Sequence, residues 1–246
     1  MRMRLDAAMV KRGLVASRSE AAAMIDDRLV SVGGVIAEKS SRLVASDEPI
    51  ELIRQRRFVS RGGEKLAGAL SAFALDVTGV SAVDAGSSTG GFTDCLLQHG
   101  VSRVFAVDVG RNQLHERIAS DPRVTWREGV NVRDLARSDL PYPCTLLVAD
   151  LSFISLVTVL PALSGLLEPM ADMVLLVKPQ FEVGRDEASK GRGIITDPAL
   201  HQWSIEKVSA EALRLGWTVA GCVESPIKGG EGNTEFLLHL KRGARP

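Results

Sequence analysis

Apolar positions recur along this chain with different periods, and the change of period divides it into a short front unit and a longer body. In the front unit Leu5, Ala8, Met9 and Leu14 fall at helical spacing, and Gly13 ends that helix. Ser17-Arg-Ser-Glu20 fits a capping box that opens a second helix through Ala21, Ala22, Met24 and Ile25. Residues 29–32, a Gly33-Gly34 turn and Val35-Ile36 predict a short hairpin, and residues 49–53 a further strand. The body alternates short apolar runs with amphipathic stretches. Strands are predicted at 80–84, 104–108, 124–126, 145–150 and 173–178, and helices at 64–75, 91–99, 113–120, 156–167 and 201–215. Strands alternating with helices imply βαβ units around a parallel sheet covered on both faces. The ending differs: residues 219–224, a glycine-rich loop at 229–233 and residues 235–240 predict an antiparallel hairpin.

Composition changes this picture little. The chain has 246 residues, 45% hydrophobic and 24% charged, as an ordinary globular protein does. Net charge is zero, yet residues 1–61 carry 12 Lys+Arg against 8 Asp+Glu, and the remainder 18 against 22. A basic front on an acidic body suits contact with nucleic acid. Arg4, Lys11, Arg12, Arg18 and Arg28 lie on the front unit, and Arg57 and Arg61 on a basic stretch predicted as a linker over 54–63. A solvated helical surface would carry the same charges, and at this level both readings stay open. Cys95, Cys144 and Cys222 lie far apart without ligand spacing, which predicts buried reduced thiols rather than a disulfide framework or a metal site. No apolar run has the length of a membrane span, and no apolar segment follows the basic start as in a signal peptide, so the expected location is the cytoplasm.

The candidate chemistry lies at strand ends. Asp84-Ala-Gly-Ser-Ser-Thr-Gly-Gly-Phe-Thr-Asp94 follows an apolar strand and opens a helix. Its glycines allow a tight turn and close approach to a ligand. Asp108 ends the next strand, where a carboxylate can accept hydrogen bonds from a ribose diol. The G-x-x-x-G-G spacing is neither the dinucleotide fingerprint nor a phosphate loop. A site that lacks a pyrophosphate cradle but keeps the diol-binding acid suits a nucleoside with a sulfonium tail, S-adenosylmethionine; a turn needed only for packing is the bland alternative. Asp150 and Lys178 each end an apolar strand, and Pro179 holds Lys178 extended at the carboxyl edge, where open parallel sheets bind ligands. A lysine buried there is costly unless paired or working. Glu235, at the start of the last strand, and Lys65, in the helix before the first, could join them. In sequence alone, residues like these two are more often solvated. A desolvated amine beside a second ammonium favours its neutral form, which can take a proton from a ribose hydroxyl.

The front unit, with R-L-D-x-x-x-V-x-R-G-L-x-x-S-R-S-x-A at 4–21 and V-x-V-x-G at 30–34, resembles the S4 RNA-binding domain. The blocks F-V-S-R-G-G-E-K-L at 58–66, D-A-G-S-S-T-G-G-F-T-D at 84–94, A-V-D-V-G at 106–110, D-L-S-F-I-S-L at 150–156, L-V-K-P-Q-F-E at 176–182 and G-N-T-E-F-L at 232–237 resemble the TlyA family. That family joins an S4 domain to an RrmJ/FtsJ-type methyltransferase domain. The resemblance implies an α/β, Rossmann-like S-adenosylmethionine-dependent methyltransferase sheet over 64–246, with a small α+β S4 domain over 1–53. It implies a catalytic group of Lys65, Asp150, Lys178 and Glu235, with Lys178 as base and Glu235 holding the lysine network. Asp84, Gly86, Ser88, Thr89, Gly90, Phe92, Asp108, Val109, Asn131 and Asp150 would bind the cofactor. The implied reaction is in-line methylation of a cytidine 2′-hydroxyl in ribosomal RNA, without a metal. Two alternatives remain, an RNA-binding protein with an inactive methyltransferase fold and a membrane-active protein, since the family has carried the name haemolysin. Two departures lie beside the expected adenosine pocket: Arg111-Asn112 in place of Tyr-Gly, and Gly129-Val130 in place of Arg-Thr.

Overall fold

The computed structural model describes residues 2–53, 57–184, 187, 189, 191–230 and 232–243. It forms two compact units, Met1–Arg56 and Arg57–Pro246.

The first unit contains β1 (Arg2–Arg4), α1 (Leu5–Lys11), α2 (Arg18–Asp26), β2 (Val30–Val32), β3 (Val35–Ile36), β4 (Leu43–Ala45) and β5 (Ile50–Leu52). Both helices turn their apolar stripes onto one core that includes Leu5, Met9, Met24, Ile25, Val30 and Val44. Strand β2 lies between β3 and β5, while β1 pairs with β4 in a separate ribbon that the hydrophobic pattern did not predict. The capping box at α2 takes an altered form. Ser17 Oγ accepts from Glu20 N at 3.1 Å, but the Glu20 carboxylate accepts from Ala16 N rather than from Ser17 N.

The second unit contains α3 (Gly62–Ala72), β6 (Ser81–Ala85), α4 (Gly91–Gln98), β7 (Arg103–Asp108), α5 (Glu116–Ala119), β8 (Val124–Glu128), β9 (Leu146–Ala149), α6 (Leu156–Leu166), β10 (Ala171–Val177), α7 (Pro179–Glu182), α8 (Pro198–Arg214), β11 (Thr218–Glu224) and β12 (Phe236–Arg242). One seven-stranded sheet runs in the order β11-β12-β10-β9-β6-β7-β8. Strands β8, β7, β6, β9 and β10 are parallel. The predicted closing hairpin exists, but β12 inserts antiparallel between β10 and β11 instead of adding at an outer edge. Central strands β9 and β10 are buried almost throughout, which explains their near-continuous apolar runs. One core lies under α6 and α8 and includes Leu147, Leu163, Leu175 and Trp217; another lies under α3 and α4 and includes Leu66, Leu96 and Val174.

Two expectations need correction. Of the stretch predicted as a linker, residues 54–56 lie outside the described residues, while 57–63 belong to the second unit. Phe58 is buried, and Val59 N donates to the Asp94 carboxylate at 2.8 Å, so this segment is anchored through its apolar residues despite its surrounding arginines. Cys222 is exposed on edge strand β11, although Cys95 and Cys144 are buried as expected.

Candidate functional site

Register brings the strand-end residues together. In the parallel part of the sheet Ala85 pairs with Ala149, so Gly86 and Asp150 leave β6 and β9 side by side. In the antiparallel pair Val177 faces Phe236, so Lys178 at the end of β10 neighbours Glu235 at the start of β12. Lys65 arrives from the first turns of α3.

The four side chains form two ion pairs. Lys65 Nζ donates to Glu235 Oε2 at 2.5 Å, with both residues buried. Lys178 Nζ lies 2.6 Å from Asp150 Oδ1 and donates to Ser152 Oγ at 2.9 Å. Glu235 is thus the counter-ion of Lys65. Its other oxygen packs against Gly229, where an added Cβ would stand 2.5 Å from it. Lys65, Asp150 and Lys178 line one cavity of about 320 Å³, together with Ser60, Arg61 and Ser152. Charges this far from water persist because each has a partner of opposite sign at hydrogen-bonding distance.

A second cavity of about 420 Å³ has Val107, Val132, Ile154 and Val159 in its wall and Asp108 and Asn131 among its polar residues. The two cavities share Gly86, Ser88, Asp150 and Ser152. Gly86 has φ +82°, and a Cβ on it would stand 2.5 Å from the Asp150 carbonyl oxygen. Asp108 accepts from Ser88 N at 2.7 Å and from Gly110 N at 2.6 Å, one on each carboxylate oxygen, so each oxygen keeps capacity for a further donor. Asp84 is fully buried behind the loop. Its Oδ2 accepts from Thr93 Oγ1 at 2.6 Å, and its Oδ1 has no partner among the described residues. Burial pushes its carboxyl up to about 7, against the Thr93 hydrogen bond and with help from the charges of Asp150 and Asp108. An apolar slot and an acid with lone pairs to spare together fit a nucleoside carrying a diol.

The predicted cofactor-binding residues divide by position. Gly86, Ser88, Thr89 and Phe92 line the first cavity; Gly86, Ser88, Asp108, Val109 and Asn131 line the second; Asp150 lines both. Val109 lines it while remaining largely exposed. Asp84 and Gly90 line neither of these cavities. Gly90 instead caps α4 at φ +91°, close to Leu114 and Ile118. The two departures in sequence prove to be one arrangement. The Arg111 guanidinium lies over Gly129, where a Cβ would come within 2.6 Å of it. Asn112 holds the left-handed conformation at φ +57°, which asparagine tolerates better than most residues. The amides of Asn112, Gln113 and Leu114 all donate to Glu128 and hold its carboxyl below the usual range.

Sequence reasoning missed Ser60, Ser152 and Phe153. Ser152 is the second partner of Lys178, and its place two residues after Asp150 was the available signal. Phe153 is 92% exposed, has φ +63°, lines the second cavity and sets its ring 5.3 Å from that of Phe181. A bulky residue in the left-handed region is a strained exception.

The basic residues also separate. Arg4 and Arg18 both pair with buried Asp6 through Oδ2 at 2.9 Å, and Arg4's hydrogen bond is the main force holding that carboxyl far below its ordinary range. Arg12, though exposed, donates to the carbonyls of Ala45, Ser46 and Glu48, so it fixes a turn. Arg28 lies 3.7 Å from Glu38, and Lys11 is exposed. Arg57 stacks over Phe58 at 4.7 Å, and Arg61 donates to the Lys228 carbonyl at 2.5 Å.

Comparisons with known proteins identify the family. The FtsJ-like methyltransferase family model matches residues 58–242, and the S4 domain model matches residues 3–50. The chain is 45% identical to the 16S/23S rRNA (cytidine-2′-O)-methyltransferase TlyA of Mycobacterium tuberculosis over 98% of this chain and 90% of that one. It is 37% identical to Hemolysin A of Brachyspira hyodysenteriae over 97% of this chain and 99% of that one. A solved structure from Streptococcus thermophilus, provisionally described as a hemolysin, superposes with a TM-score of 0.79 at 39% identity, covering 100% of this chain and 90% of that one.

Proposed function

Because this chain belongs to the FtsJ-like methyltransferase family, in its S4-bearing TlyA group, we propose that it methylates the ribose 2′-hydroxyl of a cytidine in ribosomal RNA, using S-adenosylmethionine. The observation that carries this reading is the pair of adjoining cavities. One is lined by three of the four ion-paired residues, the other has the diol-binding acid, and they share Gly86, Ser88, Asp150 and Ser152.

Bound S-adenosylmethionine supplies an electrophilic methyl group. Asp108 and the glycine loop hold its nucleoside, with buried Asp84 behind the loop. In its neutral amine form Lys178 Nζ receives the 2′-hydroxyl proton as the oxygen takes the methyl group, and its contacts with Asp150 and Ser152 fix where that nitrogen points. Lys65 lines the same cavity, with its Nζ held by Glu235 so that it can orient the incoming oxygen. Most of the acceleration comes from this positioning, with proton transfer adding less. Exposed Phe153 offers a ring on which an unstacked base can lie. Arg4, Lys11, Arg18 and Arg28 of the S4 domain, with Arg57 and Arg61, supply phosphate contacts that place the RNA. Ribosomal RNA as substrate sets the enzyme's work in the cytoplasm. No helix of the described residues is long and apolar enough to cross a membrane, so the hemolysin name of one relative gains no support from a spanning segment.

The test is Lys178→Ala. Titration calorimetry should show S-adenosylmethionine affinity near that of the wild type, while tritiated-methyl transfer to isolated ribosomal RNAs and subunits falls roughly 10²- to 10⁴-fold. Retained turnover would remove Lys178 as the base, and a wild-type protein that labels no RNA would remove the reading altogether.

A further inference from the structure

Glu182 ends the L-V-K-P-Q-F-E block, and none of the roles above uses it. Its side chain is almost completely buried, yet it lines neither cavity. Its Oε2 accepts from Ser155 Oγ at 2.5 Å, and its Oε1 accepts from Leu156 N at 2.6 Å. Ser155 is the N-cap residue of α6, but its hydroxyl does not cap that helix. The cap comes instead from a carboxylate 26 residues further along the chain. A negative charge at a helix N-terminus meets free N–H groups and the positive end of the helix dipole. Lys207 completes the arrangement from α8, donating to the Glu182 carbonyl at 2.6 Å with its Nζ 3.6 Å from Oε2.

The two segments joined here are the ones that leave β9 and β10. The first carries Asp150, Ser152 and Phe153 and ends at Ser155; the second carries Lys178 and Phe181 and ends at Glu182. At their near ends they meet through Lys178 with Asp150 and Ser152, and midway through the Phe153 and Phe181 rings. At their far ends they meet through Glu182. The Asp150 segment passes through a residue at φ +63°, a conformation that needs support from its surroundings.

We propose that Glu182 is a positioning residue: by capping α6 from the Lys178 segment, it locks the Asp150 and Lys178 segments into the single geometry that methyl transfer needs. The proposal rests on the methyl-transfer reading for its kinetic consequence, though not for its structural one.

The experiment compares wild type, Glu182→Gln and Ser155→Ala by hydrogen-exchange mass spectrometry and by methyl-transfer kinetics. The glutamine keeps the shape but loses the charge and turns an amide N–H toward one of the two donors; the alanine removes one donor and leaves the carboxylate. Glu182→Gln should raise exchange selectively in peptides covering 150–160 and 178–184. It should also lower kcat about 10- to 100-fold and displace the kcat–pH profile. Ser155→Ala should change each quantity in the same direction by a smaller factor, so the proposal stays testable if the glutamine variant folds poorly. Exchange that rises evenly over the second unit, or a kcat that falls with an unmoved pH profile, would overturn it by showing a merely structural role. Altered exchange in a protein whose wild type transfers no methyl group would uphold the lock and defeat the methyl-transfer reading instead.

Discussion

Gly86→Ala separates two costs that a glycine loop can hide. Gly86 has φ +82°, and alanine there meets the steric penalty of the left-handed region, about 1–2 kcal/mol. A Cβ at this position would also stand 2.5 Å from the Asp150 carbonyl oxygen and 2.9 Å from a Leu151 methyl. Ordinary contact lies near 3.4 Å, so β6 and β9 must part by roughly 1 Å, and overpacking of this kind costs about 1–3 kcal/mol. Asp150 N donates to Ala85 O at 3.1 Å, and Asp150 Oδ1 lies 2.6 Å from Lys178 Nζ, so the movement reaches the ion pair directly. A displacement of that size costs on the order of 10²-fold in rate. Gly79→Ala provides the control, because φ is +73° there and nothing lies within 4 Å of the added carbon. Urea denaturation should show Gly79→Ala destabilised by about 1–2 kcal/mol with normal turnover, and Gly86→Ala by about 2–5 kcal/mol with turnover nearly lost. Equal stability losses in the two variants, or full single-turnover rates in Gly86→Ala at saturating donor, would refute the reasoning.

Other perturbations test the buried charges and the exposed ring. Glu235→Ala leaves the Lys65 ammonium buried without its counter-ion and should cost about 3–5 kcal/mol; Lys65→Met with Glu235→Leu should recover most of that stability in urea while methyl transfer stays lost, and a double variant as unstable as the single would contradict this. Asp84, with its carboxyl raised from 3.8 to about 7, keeps in the folded state a proton that the unfolded chain releases. The stability gained is complete below the unfolded value and is lost as pH rises through about 7, a swing of roughly 4 kcal/mol at most. Melting temperatures of Asp84→Asn should therefore fall less than wild type between pH 4 and 7, and parallel curves would count against a buried, proton-holding Asp84. Phe153→Ala should raise KM for RNA about tenfold, the equivalent of one lost stacking contact; an unaltered KM would remove the ring from substrate binding.

Much of the site was legible because strand ends announce themselves. Asp84, Asp108, Asp150 and Lys178 each interrupt or close an apolar run, and in a parallel sheet all such ends reach one edge. Pairing is another matter. Nothing local says that Lys65 belongs to Glu235 and Lys178 to Asp150, since the first follows from β12 entering beside β10 and the second from β9 lying beside β10, both long-range choices of strand order. The same limit explains the reading of residues 57–63 as linker: their arginines are conspicuous, whereas the anchoring comes from Phe58 and from the bond of Val59 to Asp94, 35 residues away. Arg12 looked like its basic neighbours because its carbonyl partners carry no sequence signature. Phe153 went unnoticed because an aromatic in an apolar stretch normally reads as core.

The insertion of β12 between β10 and β11 also bears on how the enzyme comes into being. Lys65 precedes the whole sheet in the chain, yet its counter-charge stands at the start of the last strand, 170 residues later. Contacts so distant in sequence form late, after much chain entropy has been surrendered. A half-made molecule can therefore already own a finished front unit and a nucleoside slot while Lys65 still lacks its counter-ion, so the last strand to be made is the one that completes the site.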